Sequence, residues 1–263
     1  KDGAGPDLTR RPGAPERHDT KRKRKWCKSM VLYWIVLPIV WVLIHILWRI
    51  EVIGLDKVPR DRPIVLAPNH ISDLDPVFIL GVIFDFSRYR ILAKQELFRN
   101  PVIGWALGCL GAIPIDRGKG DTETIDKVIA ECRGGTRVLI FPEGTRSKTG
   151  RLGKLKSGAF AVASQAGADI LPCRIIYDTP DARMHLFCRM RICFGDPIST
   201  AGAASDDPRR QVRALRTLRT RLTDDLEALY AAHHFDRPEQ ALPAADPDPA
   251  EKGENHADPA CKY

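Results

Sequence analysis

The chain has 263 residues with 44% apolar and 28% charged side chains and a net charge of +8, enough for one large domain or two small ones with a full core. That balance, at a mean hydropathy of −0.23, excludes a multi-span membrane protein and a wholly disordered one. Seven scattered cysteines without a C-x-x-C pair exclude a disulfide framework and a thiolate zinc centre, and they fit a reducing compartment.

Residues 1–29 carry ten Lys/Arg against four Asp/Glu and predict a disordered basic arm. The densest run, Lys21 to Lys25, abuts an uncharged stretch from Met30 to Trp48. A basic cluster beside an apolar segment points to an anionic membrane surface, with no nucleic acid among the expected partners, because no nucleic-acid-binding motif accompanies the charge. The uncharged stretch is 19 residues long and would make about 28 Å of helix, enough to span a bilayer. A second reading lays it in the interface, because Trp34, Pro38, Trp41, His45 and Trp48 fall on one helical stripe and Pro38 interrupts a straight span. The expectation is an embedded helix or helical hairpin over residues 30–50, with the stripe facing lipid headgroups or packing on the body.

The body, residues 51–234, alternates short apolar runs with helical stretches. Strands are predicted near 63–67, 90–93, 137–141, 169–177 and 190–194, and helices near 76–83, 102–110, 157–165 and 208–230. This alternation predicts an α/β fold with helices around a largely parallel sheet. The last helix places Val212, Leu215, Leu218, Leu222, Leu226 and Leu229 on one apolar face. Residues 235–263, rich in Pro, Asp and Ala, predict a disordered acidic tail.

Three segments carry chemistry. In Pro68-Asn69-His70-Ile71-Ser72-Asp73-Leu74-Asp75-Pro76 a strand runs into a helix. Asp75 can hold one nitrogen of His70 and leave the other as a general base, or it can simply cap the helix ahead of Pro76. In Phe141-Pro142-Glu143-Gly144-Thr145-Arg146-Ser147 a strand end projects a carboxylate and a guanidinium, with Lys148, Arg151, Lys154 and Lys156 following. Such a loop can grip a phosphate or remain a solvated basic surface. In Gly111 to Gly118 a short strand is followed by Arg117, either a ligand contact or half of a surface ion pair.

The order NHISDLD, GAIPIDR, FPEGTRS and Ile170-Leu171-Pro172 resembles the glycerolipid acyltransferases, the family typified by 1-acylglycerol-3-phosphate (lysophosphatidate) acyltransferase. The resemblance runs from about Glu51 to Phe194, and departs where Cys173-Arg174 stand at positions many members keep apolar. It implies transfer of a fatty acyl group from acyl-CoA or acyl carrier protein to the free hydroxyl of lysophosphatidate, giving phosphatidate. The same chemistry on glycerol 3-phosphate, another lysophospholipid or a lipid-linked sugar is the alternative. By motif position His70 would be the base and Asp75 its orienting partner. Arg117 and Arg146 would hold the acceptor phosphate, with Lys94 and Thr145 nearby and Glu143 with Gly144 shaping the acceptor pocket. Direct attack by the acceptor requires no metal and no organic cofactor, although Ser72 stands close enough to serve as an alternative nucleophile. A lysolipid acceptor in the bilayer and a cytosolic thioester place the expected protein at the cytoplasmic face of a membrane.

Overall fold

The computed structural model describes residues 38–39, 41–83, 89–109, 111–115, 122–205 and 207–236. The basic arm, the start of the apolar stretch up to residue 37, Asp116 with Arg117, and the acidic tail beyond residue 236 lie outside them.

Helical residues 38–39 and 41–47 (α1) lead into β1 (Arg49–Ile53), β2 (Ile64–Pro68), α2 (Asp75–Ile83), β3 (Tyr89–Lys94), α3 (Pro101–Cys109) and β4 (Ala112–Ile115). They are followed by α4 (Thr122–Arg133), β5 (Arg137–Leu139), α5 (Gly158–Ala166), β6 (Asp169–Tyr177), β7 (Arg189–Phe194) and α6 (Pro208–His233). The strands form one sheet in the order β1-β7-β6-β2-β5-β3-β4. From β6 to β4 all pairs are parallel, β7 opposes β6, and β1 runs parallel to β7. The largely parallel α/β fold expected from the sequence is therefore present, with two reversed strands at one edge.

Strand β2 explains why the sheet is buried on both faces. Its Ile64 and Leu66 enter one core with Phe78, Ile79 and Leu80 of α2. Its Val65 and Ala67 enter the other, with Phe160 of α5, Val128 of α4 and Leu222 of α6. The run Ile-Val-Leu-Ala has no polar alternation because neither face meets water. Each such side chain contributes about 1.5–3 kcal/mol on full burial.

Helix α6 begins at an N-cap, where the Asp207 side chain accepts from the Arg209 amide at 2.9 Å and Pro208 occupies the first turn. Leu218, Leu222 and Leu226 are its buried residues. Val212, expected on that face, is exposed, and the first buried residue of the face is Leu218.

Two boundaries expected from the sequence are corrected, and one open reading is resolved at Trp48. The helix expected over residues 30–50 stops at Leu47, and Arg49 and Ile50 already pair with β7. Of the two readings of the aromatic stripe, Trp48 takes the packed one: it is buried, packs edge-on to Phe78 at 5.0 Å, and donates its indole N–H to the His185 carbonyl at 2.8 Å, while Trp41 is exposed. The tail does not start at Phe235, which is buried under the guanidinium groups of Arg189 and Arg191. Helix α4 was not anticipated, although Ile125, Val128, Ile129 and Cys132 carry its spacing. Among the described residues no helix is long and apolar enough to cross a membrane.

Candidate active site

The carboxyl ends of the parallel strands gather the three motifs along one edge of the sheet, the usual ligand edge of open α/β sheets. Strand β2 delivers His70, β5 delivers Glu143 to Arg146, β3 ends on Lys94, and the chain leaving β4 continues to Arg117. Lys94 pairs in register with Ile115 and is exposed. Arg117 itself lies outside the described residues.

The turn after β2 is built around Asp75, which is fully buried. Its Oδ2 accepts from the His70 ring at Nδ1 (3.0 Å) and from the backbone amides of Ile71 (2.7 Å) and Ser72 (2.8 Å). Its Oδ1 accepts the Tyr177 hydroxyl at 2.6 Å. The carboxylate therefore points back into the turn instead of capping the helix it starts. Burial, reinforced by the adjacent Asp75, pushes the Tyr177 hydroxyl well above its ordinary value, so it remains a donor. With Asp75 accepting at Nδ1, a neutral His70 carries its proton there and presents the lone pair of Nε2. The His70 ring stacks on Phe141 at 3.9 Å between centroids, and the side chain is 17% exposed, enough to meet a substrate.

Two long-range contacts that the motif alone did not reveal hold this turn. Asn69 is buried and extends the ladder with side-chain atoms, donating to the Ile175 carbonyl at 3.1 Å and accepting the Ile175 amide at 2.7 Å. Tyr177 reaches Asp75 from the end of β6. Neither could be paired with the motif from spacing, because both contacts cross about a hundred residues and exist only once β2 lies against β6.

The second motif is stitched onto the first. Glu143 is buried; one oxygen accepts the His70 amide at 2.8 Å and the other the Gly153 amide at 2.9 Å. The Ser147 amide donates to the His70 carbonyl at 2.7 Å. Burial pushes the Glu143 carboxyl above its ordinary value, against the pull of those two donors and of nearby Arg174. Both oxygens of Glu143 are thus committed to backbone, and the side chain ties the basic loop to the catalytic turn. Gly144 turns with φ of +72°, a conformation that favours glycine, and a Cβ there would lie 3.1 Å from the Lys156 side chain. Thr145 is exposed at the tip. Arg146 pairs with Asp73, inside the first motif, and both are largely exposed.

Arg174, the departure from the family pattern, is buried with its guanidinium 4.9 Å from the Tyr230 ring centroid and close enough to Glu143 to act on it electrostatically. Among the described residues no group of three or more His, Cys, Asp or Glu side chains could hold a metal ion.

The site thus joins a buried carboxylate–imidazole pair at a strand end to an arginine ion-paired with Asp73 in the same turn. Residues 49–176, just under half of the chain, match the family model described as Acyltransferase. It is 34% identical over 138 residues to a chloroplastic 1-acyl-sn-glycerol-3-phosphate acyltransferase of Brassica napus, covering 51% of this chain and 39% of that one. A Pseudomonas aeruginosa protein of the same name is 35% identical over 57% of this chain and 54% of its own, and one from Bacillus subtilis is 29% identical over 71% and 92%. The chain thus spans well under two thirds of the length of the plant relative. The crystal structure of the 1-acyl-sn-glycerophosphate acyltransferase of Thermotoga maritima aligns with 81% of this chain and 85% of its own, at 19% identity and a TM-score of 0.49.

Proposed function

We propose that this protein transfers a fatty acyl group from an acyl thioester, acyl-CoA or acyl carrier protein, to the free hydroxyl of lysophosphatidate, giving phosphatidate. The observation that carries the reading is the His70–Asp75 pair, locked by Tyr177 and two backbone amides, with Arg146 ion-paired across the same turn. The names of the relatives, all 1-acyl-sn-glycerol-3-phosphate acyltransferases, support the acceptor.

His70 Nε2 takes the proton from the acceptor hydroxyl as its oxygen attacks the thioester carbonyl. The new C–O bond forms, the C–S bond breaks, and the thiolate leaves and takes up the proton. No acyl-enzyme, metal or organic cofactor enters this scheme. Arg146 holds the acceptor phosphate by exchanging Asp73 for it, with Lys94 and Thr145 along the same edge; the sequence resemblance adds Arg117 to this role. Gly144 lets the Lys156 side chain lie against the loop, while Glu143 fixes the loop that shapes this pocket. The apolar segment entering α1 attaches the protein to the cytoplasmic face of an anionic bilayer, where the lysolipid acceptor resides. The exposed Ile39, Val42, Leu43 and Ile46 support that placement.

The test is thiol release from acyl-CoA by detergent-purified protein with lysophosphatidate, beside His70→Ala. Acceptor-dependent release in the parent and at least a ~10²-fold loss in the folded variant are expected. Full activity of His70→Ala would remove the base, and a product profile favouring another lysolipid would change the acceptor.

A further inference from the structure

The loop between β6 and β7, residues 178–188, exposes two large apolar side chains, Leu186 at 59% and Phe187 at 64%. Phe187 has φ of +63°, a left-handed conformation that a bulky non-glycine residue adopts only when its surroundings impose it. The Phe187 amide donates to the Leu47 carbonyl at 3.1 Å, the Trp48 indole donates to the His185 carbonyl, and the Arg49 amide donates to the Cys188 carbonyl at 3.3 Å. The loop is therefore tied to the root of α1, whose Ile39, Val42, Leu43 and Ile46 are also exposed. A strained backbone here holds a phenyl ring out in solvent, which folding alone would not favour.

Charge surrounds this apolar tip. Arg49 and Arg189 are register partners on β1 and β7, both exposed, and among the described residues no carboxylate is ion-paired to either. Arg183 is exposed as well, its guanidinium donating to the Lys148 carbonyl at 2.8 Å; of the nearby acids Asp178 is half-buried, and Asp181 and Glu51 are engaged by His185 and Arg191. A 330 Å³ cavity lies between Arg49, Arg189, His45 and Phe235. Apolar side chains rimmed by unneutralised arginines match a bilayer's acyl and phosphate layers in turn. The loop also starts one residue after Tyr177, at the sheet edge where His70 lies.

We infer that the β6–β7 loop is a second membrane contact, in which Leu186 and Phe187 enter an anionic phospholipid bilayer while Arg49, Arg183 and Arg189 meet its phosphates. The inference deepens the membrane attachment proposed above and rests on it. Two contacts, α1 and this loop, fix the tilt of the domain, so the sheet edge bearing His70 faces the bilayer that supplies the acceptor.

The experiment adds one tryptophan to the five of the full chain, by Phe187→Trp or, as a control on α6, Val212→Trp. Each is bound to phosphatidylcholine–phosphatidylglycerol vesicles with plain or brominated acyl chains. Bromine should quench the emission added by Phe187→Trp by about twofold or more and leave that added by Val212→Trp unchanged. Equal behaviour of the two, or failure of the full chain to bind vesicles, overturns the inference. In a second arm, the double variant Leu186→Ser, Phe187→Ser should lose about tenfold in rate on vesicle-borne acceptor and keep its rate on a short-chain acceptor dissolved as monomers. Equal rates of parent and variant on vesicles overturn it too. Quenching needs no turnover, so a lack of acyl transfer would strike the proposed function and leave this contact standing.

Discussion

The two halves of the candidate site are built to opposite rules. The catalytic turn is buried, and Asp75 spends both oxygens on four donors, two of them backbone amides. The basic loop beside it is exposed, and its Arg146 is held by a carboxylate that is itself 67% exposed. Buried, fully satisfied networks are rigid and costly to break, whereas exposed ion pairs contribute about 0–1 kcal/mol and exchange readily. Under the proposed function, the chemistry would be preorganised while the phosphate grip is left open to competition.

The comparison breaks most severely at Asp75. Asp75→Asn keeps the shape but places an amide where four donors converge, and it frees the imidazole to adopt the wrong tautomer. Turnover should fall by at least ~10²-fold with the circular dichroism spectrum unchanged. Turnover within a few-fold of the parent would show that the pair is structural.

Glu143 links the two halves, so its loss should be read in stability. Glu143→Ala leaves the His70 and Gly153 amides without their acceptor and should lower the unfolding free energy in urea by about 2–3 kcal/mol. The pH dependence has a definite sign. Because burial raises its pKa from 4.5, the native chain binds that proton before the unfolded chain does. Its contribution is therefore fully present below the unfolded value and falls as pH rises through the folded one. The stability gap between parent and Glu143→Ala should narrow over that window, and a gap that widens would contradict the assignment.

The open half predicts smaller effects, confined to acceptor binding. Arg146→Ala should raise the KM for a phosphorylated acceptor about tenfold with kcat nearly unchanged. Asp73→Asn should do the reverse and lower that KM by about two- to threefold, because the acceptor phosphate no longer displaces a carboxylate. A rise in KM for Asp73→Asn would mean that Asp73 positions Arg146 for substrate instead of competing with it.

Much of the site could be read from the chain. The motif with His70 and Asp75 and the motif with Glu143 and Arg146 are local, and each falls at a strand end that its own apolar run predicts. What escaped reading shares one physical cause. Tyr177, Asn69 and the pairing of Arg146 with Asp73 are contacts across sequence separations of 73 to 106 residues. No periodicity encodes such contacts.

The role of Trp48 was undecidable for the same reason. Helical spacing puts it on a stripe with Trp41 and His45, yet the helix ends one residue before it and the side chain turns onto Phe78. Local periodicity and motif spacing were enough for the α/β class, for the strand ends that carry the motifs, and for the pairing of His70 with Asp75. The tertiary structure alone decided which groups hold Asp75, that Glu143 joins two loops, and that Leu186 and Phe187 stand exposed beside α1. Those facts depend on sheet order and register, which bring distant segments within hydrogen-bonding distance only after folding.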